Sequence, residues 1–512
     1  MEGKSKMSKN LDILFVHSNS LEINYQELAN EHSAIEPNIW AGMLANSCKS
    51  KGFSSQILDC EAEHLTTNNS AKEIVSRNSR LICFVVFGAN PNASTQSMEG
   101  NIATAKKVKE LNPNSKIIFV GPHVSAVPRE TLNEGCVDIV CTNEGVYALH
   151  NLLKCNVDDN HDLLKIKGIG FKTKEGLSII NEPERIVPKD FLARDLPGIA
   201  WDLMPNIKYF KTSGWHSWSN NTIKTPFASL YTSLGCPYKC SYCMINILNR
   251  TDNALHISAA DSNIFRYWDP EFIIKQFDII AQMGVKNVKI ADELFVYNPK
   301  HFLKICDLII ERKYDFNIWC YSRVDTCKPE YLDRMKKAGI NWLGIGVENP
   351  NQVLRKEVHK GGFKEVKIDN LFSMMRNAGI NIGANYIFGL PKDTKESIQN
   401  TVEFMMNNLT EFMNIYSAMA LPGSPLYLEA RKNKVILPDR YAGYSQHSYY
   451  TQNLPTDTLS AAEILQARDD CWTRYFTNSV YLQMMEKKFG KVCTDNIKAS
   501  TQIKLKRRLL GD

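Results

Sequence analysis

The sequence predicts an α/β protein with three parts in series. A doubly wound parallel sheet comes first, a partial (β/α)6 barrel follows, and a mixed, largely helical cap closes the chain. Two observations carry this prediction. Short apolar runs rich in β-branched and aromatic residues alternate with amphipathic stretches through the first third of the chain, a rhythm that makes parallel sheets covered by helices. The same rhythm returns six times between Phe227 and about Leu426, with polar residues gathered where each later run ends. The parts fall at residues 1–150, 151–222 (a connecting segment), 223–430 and 431–512.

Length and composition are compatible with this plan. The chain has 512 residues, 44% of them hydrophobic and 23% charged, with a formal charge of +6. That is the composition of an ordinary globular protein long enough for two or three domains. Basic residues are scattered until Lys504–Arg508, which reads as a solvated end rather than a nucleic-acid patch. The first residues contain no long apolar run, so neither a signal peptide nor a membrane span is expected. Most of the fourteen cysteines stand singly in apolar runs, as Cys83 and Cys320 do. They read as reduced core thiols of a cytoplasmic protein.

The first sheet is expected to use Leu11–Val16, Ser55–Leu58, Leu81–Phe87, Lys116–Val120 and Val137–Cys141, with helices such as 39–49 and 101–111 between them. Ligands of such sheets bind in loops at the carboxyl ends of the strands. Those loops carry Ser18, Gly88, Asn90, Gly121, His123, Glu144 and Gly145, and their small residues would let backbone approach a large flat ligand. No Gly-x-Gly-x-x-Gly follows the first strand, which disfavours a nicotinamide cofactor. The connecting segment shows one hairpin, Ile166–Phe171 with Gly176–Ile180. Its Trp201, Trp215 and Trp218 are read as packing residues that could instead face a substrate.

The barrel strands are expected at Phe227–Leu234, Val285–Ala291, Phe316–Tyr321, Asn341–Val347, Asn381–Phe388 and Phe412–Met419. Barrel chemistry sits at the carboxyl ends of strands, and there lie Asp292-Glu293, Ser322-Arg323, Glu348 and Gly389-Leu-Pro391. Beyond residue 430 come Tyr441, Tyr444, Tyr449 and Tyr450, then a helix over 461–476.

The first barrel strand runs into Gly-Cys-Pro-Tyr-Lys-Cys-Ser-Tyr-Cys, which sets Cys236, Cys240 and Cys243 in one loop. Thiolates suit an iron–sulfur cluster or zinc. Zinc prefers four closed ligands in paired units, and no second pair occurs. Three ligands on a four-iron cluster leave one iron open to a substrate.

The Cys-x3-Cys-x2-Cys loop resembles that of the radical S-adenosylmethionine (SAM) enzymes. With Asp292-Glu-Leu-Phe295, Gly344-Ile-Gly-Val-Glu348 and Phe388-Gly-Leu-Pro391, it resembles the cobalamin-dependent members, methyltransferase-like. Val120-Gly-Pro-His-Val124 and the Asn143-Glu-Gly145 turn resemble their Rossmann-like cobalamin-binding half. The resemblance implies a [4Fe–4S] cluster on the three cysteines, with SAM contacted by Tyr242 (adenine), Asp292 or Glu293 (amino group), Arg323 (carboxylate) and Glu348 (ribose). It implies cobalamin on the seven loop residues above, without a protein histidine on cobalt. The segment Asp59-Cys-Glu-Ala-Glu-His64 carries Glu61 where such a histidine would stand, and His123 is expected to hydrogen-bond elsewhere.

The implied reaction uses one SAM to methylate cobalamin and a second to yield a 5′-deoxyadenosyl radical. Methyl then passes to an unactivated carbon or phosphorus of a small molecule. A cyclase or rearrangement enzyme without net methylation is the alternative, and a non-catalytic cluster and cobalamin sensor is the reading from another class. An external donor such as flavodoxin or ferredoxin is implied, and no nucleic-acid partner.

Overall fold

A computed structural model describes residues 11–173, 175–249, 264–360 and 367–512. Among these, the first sheet has seven strands in the order β2-β1-β3-β4-β5-β6-β7. They are β1 (Leu11–His17), β2 (Ser55–Asp59), β3 (Ser79–Val85), β4 (Ile117–Val120), β5 (Ile139–Cys141), β6 (Ile169–Lys172) and β7 (Ser178–Ile180). β1 to β5 are parallel, whereas β6 and β7 run antiparallel at the edge. The hairpin of the connecting segment therefore extends this sheet instead of standing apart. Side chains alternate between two cores, as strand geometry requires. Leu14, Val16, Ile82 and Phe84 pack on one face. Ile13, Phe15, Cys83 and Val85 belong to a core that continues through the connector into the barrel.

The second sheet is wholly parallel and runs in sequence order, β8-β11-β12-β13-β14-β15. The strands are β8 (Phe227–Leu230), β11 (Asn287–Ile290), β12 (Asn317–Arg323), β13 (Ile340–Glu348), β14 (Asn381–Phe388) and β15 (Phe412–Ser417). Proline at the first helical turn, where its missing N–H costs nothing, starts the helices Pro270–Gln282, Pro299–Arg312 and Pro329–Lys337. Thr394 closes a capping box with Ser397 ahead of Lys395–Asn407.

One strand differs from expectation. The run 227–234 breaks after Leu230 into β8 and a short β9 (Ser233–Gly235), which pairs antiparallel with β10 (Phe265–Tyr267). The Asp292 carboxylate holds the break. It accepts from Thr232 N (2.6 Å), Thr232 Oγ1 (2.5 Å) and Ser233 Oγ (2.6 Å).

Aromatic side chains close the amino-terminal end of the barrel. Trp215 of the connector lies 4.1 Å from Trp319, 4.8 Å from Phe412 and 5.4 Å from Trp342, ring to ring. Trp218 packs on Trp342 and Phe489. These two tryptophans are thus floor, not substrate wall. His216 anchors them through Thr212 Oγ1 (2.7 Å) and the Asn317 carbonyl (3.0 Å).

The cap contains the helices Ala461–Phe476, Ser479–Phe489 and Lys491–Gln502 and reaches back to the first sheet. Arg440 pairs with Glu99, and the Tyr441 hydroxyl donates to Glu134 at 2.5 Å. The basic tail is not uniformly solvated. Arg507, 1% exposed, grips Asp469 with two nitrogens at 2.8 and 3.0 Å and donates to the Ser448 carbonyl at 3.1 Å. Among the described residues no helix is long and apolar enough to cross a membrane.

Candidate functional site

The loop after β9 sets the three cysteines at the carboxyl end of the first barrel strand. Asn246 stitches it, accepting from Cys236 N (3.0 Å) and donating to the Cys236 carbonyl (2.9 Å). Ser241 N donates to the Val358 carbonyl, and Leu426 N to the Ser241 carbonyl. All fourteen cysteines are free, and Cys236, Cys240 and Cys243 share partial burial with Cys155 alone. Burial, with repulsion from Cys240, pushes Cys236 up to about 11, and it raises Cys243 further. The thiols are thus close enough to feel one another. Yet no three His, Cys, Asp or Glu side chains among the described residues converge as a single metal ion would need.

Four of the five residues expected to contact SAM line this end of the barrel with distinct environments. Tyr242 packs against Val358, Ile387, Leu390 and Ala418. Arg323 lies 3.7 Å over the Tyr238 ring and holds Asp325 through two nitrogens at 2.9 and 3.0 Å. Glu348 accepts from Lys360 Nζ at 2.5 Å. Its backbone has φ +63°, at a register shift between β13 and β14. A bulge and a left-handed non-glycine residue together re-aim a side chain, at a cost of roughly 1–3 kcal/mol.

The acidic pair divides its work. Asp292 is fully buried and spends its carboxylate on the β8–β9 break. Glu293, the fourth rim residue, has no hydrogen-bond partner among the described residues. It lines a small cavity with Tyr231, Gly235 and Arg266. Burial and the neighbouring Asp292 raise it to about 8, against a lesser opposing effect of Lys289.

The loops of the first sheet form a second cavity. It lies where the strand order reverses between β1 and β3, the place open sheets use for ligands. Its lining includes His17, Ser20, Glu61, Gly88, Ala89 and Ser97. Ser18, between the lining residues His17 and Ser20, is buried, and its Oγ has no hydrogen-bond partner among the described residues. Glu61 is raised by burial, less the pull of His17, to about 7. His17 bonds Asp59 at 3.0 Å, and that partner outweighs burial to lift it to about 9.

Other expected loop residues serve the protein's own packing. A Cβ at Gly121 would sit 2.1 Å from the Val86 carbonyl oxygen, so glycine there lets β4 approach β3. His123 is buried, bonded through Nδ1 to Thr95 Oγ1 (3.1 Å) and edge-on to Tyr441, and burial lowers it to about 3. Glu144 pairs with Arg266 of β10 and accepts from Val187 N (2.7 Å). Gly145 starts the helix Val146–Leu152 in a left-handed conformation. Asn90 accepts from Ala93 N (3.2 Å).

Sequence reasoning missed the groups that join the barrel to the first domain. Lys289 of β11 points into the barrel and binds Glu36 of the first domain at 2.9 and 3.1 Å, and the Ala89 carbonyl at 3.0 Å. Burial disfavours its charge, but Glu36 outweighs burial and holds it protonated. Tyr321 and Tyr416 also face the lumen. Tyr416 is 37% exposed although Glu348, Lys289 and Tyr25 surround it. Lys289 sits where β11 alternation puts a lumen residue, and that was the only available signal.

Comparison with known proteins gives this arrangement a context. The model of the radical SAM superfamily matches residues 230–405, and that of the B12-binding domain matches residues 28–153. An uncharacterised methyltransferase of Pyrococcus horikoshii is 26% identical over 393 residues, 76% of this chain and 78% of that protein. The anaerobic magnesium-protoporphyrin IX monomethyl ester cyclase of Cereibacter sphaeroides is 23% identical over 481 residues, 91% of this chain and 70% of its own. Among solved structures, the radical SAM methyltransferase TsrM of Kitasatospora setae, with cobalamin and a [4Fe–4S] cluster bound, superposes with TM-score 0.66. That match has 14% identity and covers 96% of this chain and 100% of that one. The cobalamin-dependent radical enzyme OxsB gives TM-score 0.65 at 16% identity, covering 98% and 74%. Those two likenesses show the fold. The partly buried cysteine loop and the switch-point cavity with its orphaned serine suit the groups that the two family models imply. The chain thus joins a B12-binding domain to a radical SAM domain, and the two together imply a [4Fe–4S] cluster, SAM and cobalamin as its cofactors.

Proposed function

We propose that this enzyme methylates an unactivated carbon or phosphorus centre of a small molecule. The observation that carries the reading is the junction at Lys289. Through Glu36 and Ala89 it ties the cavity of the first sheet to the lumen in front of the cysteine loop. A substrate in that lumen would stand between the two cofactor sites. When bound, the cluster and SAM supply a carbon radical and cobalamin supplies the methyl group.

The chain's own residues bind, orient and exclude water. Cys236, Cys240 and Cys243 hold the cluster as thiolates. Glu293, whose carboxyl has no partner among the described residues, attracts the SAM ammonium, while Asp292 shapes the loop beneath it. Arg323 meets the SAM carboxylate, Glu348 accepts from the ribose, and Tyr242 packs on the adenine. Ser18, Gly88 and Asn90 belong to the loops that receive the corrin. Gly121, His123, Glu144 and Gly145 support those loops from behind. The aromatic floor keeps water from the far end. The functional division is that of residues 1–150, 151–222, 223–430 and 431–512, with the connector lending its hairpin to the first sheet. A one-electron donor such as flavodoxin or ferredoxin drives the cluster.

The similarity to the cyclase across 91% of the chain favours a second reading, oxidative ring closure without net methylation. Anaerobic turnover with SAM labelled in its methyl group, reductant, cobalamin and small-molecule extracts separates the two. Label recovered in a product more massive by one methylene supports methylation. Steady 5′-deoxyadenosine release with no labelled product would exclude it.

A further inference from the structure

The loop that follows β3 touches both cofactor sites. Phe87, Gly88, Ala89 and Ala93 line the switch-point cavity, and Asn90 caps the turn Pro91–Ala93. Asn92 in that turn points the other way, into the cysteine loop. Its Oδ1 accepts from Met244 N at 3.0 Å. Its Nδ2 lies 3.7 Å from Cys243 Sγ, and Oδ1 lies 3.8 Å from the same sulfur. The backbone N–H of Met244 can only donate, so it fixes the oxygen end of the amide and leaves the NH2 end for sulfur. An iron-bound thiolate can only accept. The contact therefore becomes an N–H···S hydrogen bond once Cys243 is a ligand.

We infer that Asn92 is a positioning residue of the iron–sulfur cluster, supplied by the cobalamin-binding domain. It donates to the Cys243 sulfur and carries the state of the β3 loop to the cluster. The inference rests on the reading that the three cysteines hold that cluster. A hydrogen bond to a cluster sulfur stabilises the electron-richer reduced state, and such outer contacts tune potential. A loop that moves when the neighbouring cavity fills would then shift the cluster's potential, with no direct contact between the two cofactors.

The test compares wild type with Asn92→Asp and Asn92→Leu, each reconstituted anaerobically. Asp keeps the acceptor for Met244 N but cannot donate to sulfur when ionised; Leu fills the same space with neither. Iron and sulfide content establish that the cluster is present. Its midpoint potential and reduced-state electron paramagnetic resonance spectrum are then recorded with and without hydroxocobalamin. Both variants should keep full iron content and show a potential more negative than wild type. Added cobalamin should alter the wild-type spectrum and leave that of Asn92→Leu unchanged. Wild-type potential in Asn92→Asp and Asn92→Leu with iron retained would overturn the role of Asn92. Absence of iron from the wild-type protein would instead overturn the cluster assignment itself.

Discussion

Replacing Glu293 with Gln tests whether a buried carboxyl awaits a cation. The substitution keeps shape and removes charge. Glu293 rises from 4.5 to about 8, chiefly by burial and then by Asp292. At about 1.36 kcal/mol per pH unit, the whole rise corresponds to roughly 5 kcal/mol; partial solvent access reduces this to roughly 2–3 kcal/mol. The sign follows from the folded value lying above the unfolded one. The folded chain binds the extra proton between pH 4.5 and about 8, so this contribution is intact below the unfolded value and is lost as pH rises through the folded one. Without SAM, wild type and Glu293→Gln should therefore be close in stability near pH 5. Near pH 8.5 the variant should be more stable by the stated amount. Anaerobic urea unfolding across that range reads the difference. A gap that does not change with pH would refute the argument. If the wild type were instead stabilised as pH rises, Glu293 would have a cationic partner within the fold.

Replacing Cys236, Cys240 and Cys243 together with Ala should abolish iron and sulfide binding, because ten of the other eleven cysteines are buried; colorimetric iron and sulfide assays read this. In the Co(II)-loaded protein, electron paramagnetic resonance should show no nitrogen splitting, and His123→Ala should leave the spectrum unchanged, since Thr95 and Tyr441 already occupy that ring. A nitrogen triplet lost in the variant would overturn this. Arg507→Ala should destabilise the cap by about 1.5–3 kcal/mol, the usual worth of hydrogen bonds to a charged group, because Arg468 still pairs with Asp469; thermal unfolding with wild-type stability would contradict it.

The strand–helix rhythm was legible because its apolar runs are long and regular, and both sheets appear where it placed them. The cysteine loop was legible because its spacing is a local property. What escaped notice depends on partners far away in sequence. The break after Leu230 is made by Asp292, sixty positions after Thr232, and the alternation of 227–234 contains no sign of it. Gly121 reads as room for a ligand until Val86 is seen filling that room. Arg507 looks like part of a solvated basic end until Asp469 is found beneath it. Asn92 and Lys289 lie outside the motifs, and they join the two halves through contacts that no local pattern encodes.

The tryptophan floor also governs traffic. Among the described residues the aromatic floor closes the amino-terminal end of the barrel, which leaves the opposite end, facing the first domain, for exchange. Substrate and product exchanged at that end would pass near the buried pair of Lys289 and Glu36. Exchange at that end would then bear on the order in which partners come and go.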